Sequence, residues 1–456
     1  MNYILTNFHA VNEGEIFTGK IWIIDGRIDC IEKNGGQLVN TVHDYSSLSF
    51  QEINLEGNYL LPGVIDDQVH FRDPGLTHKG DIYSESRAAA AGGVTSFMDM
   101  PNTVPNAITT KILEEKYSAA SEKSLINYSF FIGASNDNYK ELMEVDPTEV
   151  CGIKLFLGSS TGNMLVDNSE SLKNIFSQKN LLVAIHAEEE SIVRANSAYY
   201  KEEFGENIPI AYHPKIRSEE ACFRSSEKAV ELASRYGTRL HILHLSTARE
   251  LSLLRSDIPL NEKLITGEVC VHHLWFSEKD YATKGNFIKW NPAIKTEEDR
   301  KALFQGIIDN TIDIIATDHA PHTFEEKQQS YFKAPSGGPL IQHSLTVMLE
   351  FFQDEKLKLE KIVEKMCHHP AELYRIKDRG YIREGYWADL CVVNLNHSWQ
   401  VNKSNILYKC GWSPFDGETF RSSVTHTFVN GCLVFENGRM HDENKGKRLS
   451  FYTNEK

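Results

Sequence analysis

The sequence predicts an α/β fold: a (β/α)8 TIM barrel carrying a small composite β-sandwich domain built from both termini. Three observations predict it. Eight short β-branched or apolar runs recur between residues 61 and 320, longer stretches with a helical period separate them, and Asn-Gly or Asp-Gly hairpin signals mark the two ends of the chain. At 456 residues the chain also exceeds what one ordinary core holds, so a barrel with a smaller domain appended is the expected division.

The eight runs, in order, are GVIDDQVH (63–70), VTSFMDMP (94–101), NYSFFIGA (127–134), GIKLFLG (152–158), LLVAIHAE (181–188), RLHILHLS (239–246), LITGEVCVHH (264–273) and TIDIIATDHAPH (311–322). Repeated βα units of this number close into a barrel. The region after the eighth run, to about residue 378, has a helical pattern (LIQHSLTVMLEFF, LEKIVEKMCHHPAELYRI) and is expected to pack outside the barrel. The ends differ: WIIDGRIDCIE near the start, and YWADLCVVNLN and HTFVNGCLVFENGRM near the end, are short strands joined by tight turns. The expected organisation is residues 1–60 and 381–456 in the β-sandwich and 61–380 in the barrel.

The 48 basic and 63 acidic residues leave a net charge of −15, and no Lys/Arg-rich run interrupts it. That balance argues against nucleic acid or an anionic membrane as partner and for a small molecule. The first residues, MNYILTNFHAVNEGEIF, lack a basic stretch followed by an apolar one, and no apolar run approaches the roughly 20 residues of a membrane span, so a soluble, cytoplasmic protein is expected. The eight cysteines are scattered singly with no CxxC pair, as reduced, mostly buried thiols would be.

In a barrel of this kind the reactive groups gather where the strands end at the C-terminal face. The first run carries His70, the fourth Lys154, the fifth His186, the sixth His244 and the eighth Asp318, a set of imidazoles, a carboxylate and a lysine whose types suit zinc. Taken singly, any of the 18 histidines is better explained as a surface or hydrogen-bonded core residue. Five suitable residues at the same end of successive strands are much harder to obtain independently. Lys154 sits in an apolar strand, where a free ammonium loses its hydration. A desolvated lysine has a lowered pKa, so its neutral amine can react with carbon dioxide to form a carbamate able to bridge two metal ions; an ordinary buried ion pair is the alternative.

The series DDQVHFRDPG, DMPNT, GIKLFLG, HAEEE, HLST, NPAIK and ATDHAPHTFEEK resembles the motifs of the dihydroorotases of the amidohydrolase superfamily, in their order, over about residues 60–325. IIDGRI and GYIREGYWADLCVVN are similar to that family's composite β-domain, which extends the resemblance to nearly the whole chain. The resemblance implies that His70 and Asp318 serve one metal and His186 and His244 the other, with carboxylated Lys154 between them and one or two zinc ions per subunit. It implies a metal-activated hydroxide as nucleophile and Asp318 as acid and base towards the ring nitrogen. The implied reaction is reversible closure of N-carbamoyl-L-aspartate to L-dihydroorotate in de novo pyrimidine biosynthesis, with a homo-oligomer such as a dimer as the assembly and aspartate transcarbamoylase as a candidate partner.

One position departs from the family pattern. Where it opens with His-x-His, this chain reads Gln68-Val69-His70. An amide oxygen is a poorer zinc ligand than an imidazole nitrogen, so the expected consequences are weaker occupancy of the first-metal site, a single-metal enzyme, or a catalytically silent subunit. Retention of the other five residues favours a working enzyme.

Hydantoinases, dihydropyrimidinases and allantoinases share the fold and the metal ligands, so the substrate rests on other residues. Arg72 lies two residues beyond His70, and its guanidinium fork suits bidentate capture of a carboxylate such as that of dihydroorotate. By the resemblance, Asn102 and His322 hold the same carboxylate, and Asn291 and the Gly337 region contact the pyrimidine ring. The alternatives are a salt bridge from Arg72 to Asp73 or another acid at the mouth, and a plain turn role for Asn102. The stretch SYFKAPSGGPL is either a segment that orders over substrate or a connecting loop.

Overall fold

The computed structural model describes residues 1–34, 45–158 and 164–453. Eight parallel strands form the barrel: Val64–Val69, Val94–Asp99, Asn127–Phe130 with its continuation Ile132–Gly133, Ile153–Phe156, Val183–His186, Leu240–Ile242, Ile265–Cys270 and Ile314–Ala316. Each pairs in parallel with the next. The circle is completed between the ends of the first and eighth strands, where Val69 bridges His319 and the His70 N–H donates to the His319 carbonyl at 2.7 Å. Nearly every barrel-strand residue is buried, which is why these runs read as continuous apolar segments rather than alternating ones.

Every run is shorter as a strand than the sequence suggests, and the sixth keeps only Leu240–Ile242. The seventh leaves the sheet at Cys270 and turns at once into the helix Val271–Trp275, and the eighth keeps only Ile314–Ala316 in the ladder. In both, apolar residues continue past the last sheet hydrogen bond because the chain stays buried while it forms the walls of the mouth.

The connecting helices carry the local signals that begin and end them. Asp81 and Ser84 form a capping box at the start of Ile82–Ala91, Thr296 and Asp299 do the same for Glu297–Ile308, and Gly237 closes Glu219–Tyr236 in the left-handed conformation. The helical region after the eighth strand does not stay outside the barrel, as its pattern suggests. Ala371, Leu373 and Tyr374, at its end, pack with Ile65, Met98, Leu182 and Ile314. They close the barrel opposite the mouth, because the inward residues at the start of the strands need an apolar cover.

The ends of the chain build two facing sheets. One has the strand order Arg27–Lys33, Gly19–Ile24, Asn2–Thr6, Phe50–Asn54. The other runs Arg439–Met440, Cys432–Glu436, Ser423–Val429, Leu390–Asn394, Tyr59–Pro62, His9–Asn12, Glu15–Phe17, so one ladder joins strands from both termini. Leu5, Ile21, Ile23, Leu60, Leu390, Val392 and Phe428 fill the space between them. The hairpin signals form the expected turns: Asp25-Gly26, Asn430-Gly431 and Asn437-Gly438 all have positive φ at both positions. All eight cysteines are free. No helix among the described residues is long and apolar enough to cross a membrane.

Candidate active site

The strand ends bring the predicted residues to one place. His70, Arg72, Asn102, Lys154, His186, His244, Asn291, Asp318, His322 and Gly337 all line a single cavity of about 260 Å³, with Gln68, Phe156, Ala320, Pro335 and Ser336 completing its wall. Three of them, Arg72 (φ 67°), His244 (φ 40°) and Asp318 (φ 50°), hold left-handed backbone conformations. Such conformations cost on the order of 1–3 kcal/mol each for a residue with a side chain and persist only where the surroundings enforce them. Here the Glu268 carboxylate accepts the His244 N–H at 3.3 Å, and Asp66 fixes the turn before Asp318 by accepting from the Thr317 hydroxyl at 2.6 Å.

On one side of the cavity His70 Nδ1 lies 2.7 Å from Asn102 Oδ1, an acceptor, so this nitrogen carries the proton. The other nitrogen, Nε2, then turns a lone pair towards Asp318 Oδ1 at 3.1 Å. Two acceptors facing one another at that distance form a donor set that a shared cation would satisfy. Gln68 does not imitate the imidazole it replaces: its Nε2 donates to Asp318 Oδ1 at 3.3 Å, and its Oε1 receives the Cys270 thiol at 3.6 Å.

On the other side the same logic recurs. His186 Nε2 donates to Glu188 Oε2 at 2.9 Å, which leaves Nδ1 as an acceptor 2.9 Å from His244 Nε2. His244 Nδ1 is buried without a partner. Burial pushes the pKa of both imidazoles down, which keeps them in the neutral form a metal requires. Burial also opposes ionisation of Glu188, but the Arg217 guanidinium and His186 outweigh it and hold this carboxyl down to about 2.

Lys154 lies between the two sides, 1% exposed. Among the described residues it has no ion-pair or hydrogen-bond partner for its amine, which sits 4.7 Å from the centre of the Phe156 ring. The alternative of an ordinary buried ion pair therefore finds no carboxylate. Burial lowers its pKa to about 7, against the pull of Asp318 and Glu268, so a large share of the amine is neutral and nucleophilic at physiological pH. Imidazoles, a carboxylate and a lysine that can become an anionic oxygen ligand, with lone pairs set against one another, fit zinc.

At the outer wall Arg72 is buried, and Asp73 is not its partner, because Asp73 pairs with Lys123 at 2.8 Å. Arg72 Nε donates to the Pro321 carbonyl at 3.1 Å, and Nη2 lies 3.0 Å from His322 Nε2. No carboxylate among the described residues stands within ion-pair distance of it, and burial lowers its pKa to about 10. Lys79 donates to His322 Nδ1 at 3.0 Å and pairs with Glu326 at 2.9 Å, fixing the ring. Asn102 is held by His70 rather than by its own turn, and Asn291 Oδ1 is buried without a partner. Gly337 has φ 120°, and a Cβ there would meet the Ala320 carbonyl at 2.6 Å, so only glycine fits this wall. The segment around it is pinned, since Lys327 donates to the carbonyls of Lys289, Pro335 and Gly337.

Sequence reasoning passed over Glu188 and Arg217. Glu188 had a signal, a carboxylate two residues beyond a candidate ligand. Arg217 had none, because a long loop and helix bring it back.

The amidohydrolase family profile matches residues 59–434. The chain is similar to the dihydroorotase of Carboxydothermus hydrogenoformans, with 32% identity covering 92% of this chain and 95% of the relative. It is 34% identical to the dihydroorotase of Methanosarcina acetivorans over 81% of this chain and 80% of that one. Among solved structures, the L-hydantoinase (dihydropyrimidinase) of Arthrobacter aurescens superposes with a TM-score of 0.89 at 25% identity, covering 99% of both chains. The dihydropyrimidinase of Brevibacillus agri superposes with a TM-score of 0.86 at 21% identity over 99% of this chain and 100% of that one, a likeness of fold.

Proposed function

Because the chain belongs to the amidohydrolase family, we propose that it is a dihydroorotase, which reversibly closes N-carbamoyl-L-aspartate to L-dihydroorotate. The observation that carries the choice of substrate is Arg72: a buried guanidinium, with no carboxylate of the protein in reach among the described residues, on the wall of a cavity that also holds the candidate metal donors. A substrate that brings its own carboxylate supplies the missing counter-charge.

Zinc held by His70, His186, His244, Asp318 and a carbamate on Lys154 would polarise the ring carbonyl and lower the pKa of a water. The rest falls to side chains. Arg72 and His322 bind the substrate carboxylate, with Asn102 beside them as a donor whose own oxygen is taken by His70. The unpartnered Asn291 Oδ1 suits a ring N–H. In ring opening, Asp318 takes a proton from the attacking water and gives it to the departing ring nitrogen as the carbon–nitrogen bond breaks. In closure it returns that proton to the departing oxygen, and one water is released. Gln68, donating to Asp318 Oδ1, holds this carboxylate in place for both directions.

The test is turnover of L-dihydroorotate, N-carbamoyl-L-aspartate, allantoin and dihydrouracil by zinc-loaded protein in bicarbonate. Dihydroorotate and carbamoyl aspartate are expected to interconvert fastest. Faster turnover of an uncharged ring would replace the reading with another cyclic amidohydrolase, and no turnover with zinc bound would make it a silent subunit.

A further inference from the structure

Below the cavity, inside the barrel, lies a second group of donors that ring opening and closure do not use. Asp67, His241 and Glu268, from the first, sixth and seventh strands, are each fully buried and bring one ligand atom apiece within 4.8 Å of one another. None of them lines the catalytic cavity. His241 Nε2 stands 3.1 Å from Glu268 Oε2 and 3.6 Å from Asp67 Oδ2.

Two hydrogen-bonding arrangements are open to His241. His241 Nδ1 lies 2.8 Å from the Thr266 hydroxyl, and that hydroxyl stands 3.2 Å from the Leu240 carbonyl. The Thr266 hydroxyl can give its one proton either to Leu240 or, over the shorter contact, to His241 Nδ1, and in the second arrangement Nε2–H donates to Glu268 Oε2 at 3.1 Å. With a cation bound, Nδ1 keeps the proton and Nε2 turns its lone pair towards the ion and the two carboxylate oxygens beside it. Without a cation, burial drives the Asp67 carboxyl well above the usual carboxylate range and the Glu268 carboxyl up to about 8, so these groups hold protons that a cation would displace. Neither oxygen of Asp67 has a hydrogen-bond partner, and the buried Tyr374 hydroxyl stands close to it but outside hydrogen-bonding geometry. Unpartnered carboxylate oxygens sealed from water are among the least tolerable groups in a protein interior.

We propose that Asp67, His241 and Glu268 form a second, structural site for a divalent cation of the zinc or manganese class, enclosed in the barrel beneath the catalytic mouth. One imidazole and two carboxylates are the donors such ions take, and a dication neutralises the two carboxylates. The Thr266 hydroxyl orients the imidazole from behind, as the outer partner of a metal-bound histidine does. The ion ties the first strand to the sixth and seventh, across the barrel. Because the site has no opening to solvent, the ion enters during folding and resists chelators, whereas the mouth exchanges freely. The proposal is independent of which ring the enzyme opens.

The experiment is to fold the full chain in zinc, dialyse it against EDTA, count zinc per chain, and collect anomalous diffraction at the zinc edge. One equivalent is expected to survive EDTA, with an anomalous peak between Asp67, His241 and Glu268. It should persist in the His186→Asn/His244→Asn double variant and be lost in Asp67→Asn. EDTA-treated wild type without zinc would overturn the proposal and assign protons to the three acceptors; zinc retained in Asp67→Asn would overturn it as well. Should Asp67→Asn fail to fold, the wild-type anomalous map decides the question alone.

Discussion

Replacing Lys154 with methionine should make the metal-free protein more stable while it destroys activity. The side chain is 1% exposed, and burial moves its pKa from 10.5 to about 7. At 1.36 kcal/mol per pH unit, that displacement costs the folded state about 4–5 kcal/mol below pH 7, where the lysine is protonated in both states and has neither metal nor carbamate to compensate it. The sign follows from proton counts. Below pH 7 both states hold the proton, and the full cost of burying an ammonium opposes folding. Between pH 7 and 10.5 only the unfolded state holds it, so stability climbs with pH, and above 10.5 the cost is gone. Methionine has nearly the same length and no charge, so Lys154→Met should exceed wild type by about 4 kcal/mol at pH 6, an excess that shrinks steadily towards pH 10. Urea unfolding of both proteins in metal-free buffer purged of carbon dioxide measures it. A variant no more stable than wild type at pH 6, or an excess that does not change with pH, would refute the reasoning. With zinc and bicarbonate restored, wild type should turn over and the variant should not, since the anionic ligand is missing.

Arg72→Lys keeps the charge and loses the planar fork, so KM for N-carbamoyl-L-aspartate should rise by about 10- to 100-fold, from the loss of roughly 1.5–3 kcal/mol of charge-assisted hydrogen bonding, while slow turnover of uncharged dihydrouracil stays unchanged. An equal loss on both substrates would show that Arg72 only supports the wall. Gln68→His should tighten zinc at the His70 and Asp318 donors, read by calorimetric titration; the same affinity and stoichiometry as wild type would mean that this position does not reach the metal. Glu188→Gln frees His186 Nε2 and Arg217 together, and the affinity for zinc at the mouth should fall by about 10- to 100-fold. Unaltered zinc affinity with lowered thermal stability would limit Glu188 to a structural role.

The sequence by itself determined the parts of this protein that depend on neighbours along the chain. Eight apolar runs with helical stretches between them specify parallel strands buried on both faces, and paired positive-φ residues such as Asn430-Gly431 specify hairpins locally. His70, His186, His244 and Asp318 were legible because each stands at or just past the end of a barrel strand, and all strand ends of a barrel meet at one face. Only the tertiary structure decided what each of these groups touches. The length of the eighth strand, the return of Tyr374 beneath the barrel, the Arg217 clamp on Glu188 and the use of Gln68 as a donor to Asp318 all depend on contacts between segments far apart in the chain. Asp67, His241 and Glu268 are the plainest case. Each reads as one more polar residue in an apolar strand, and it is barrel closure that turns three inward side chains towards one point.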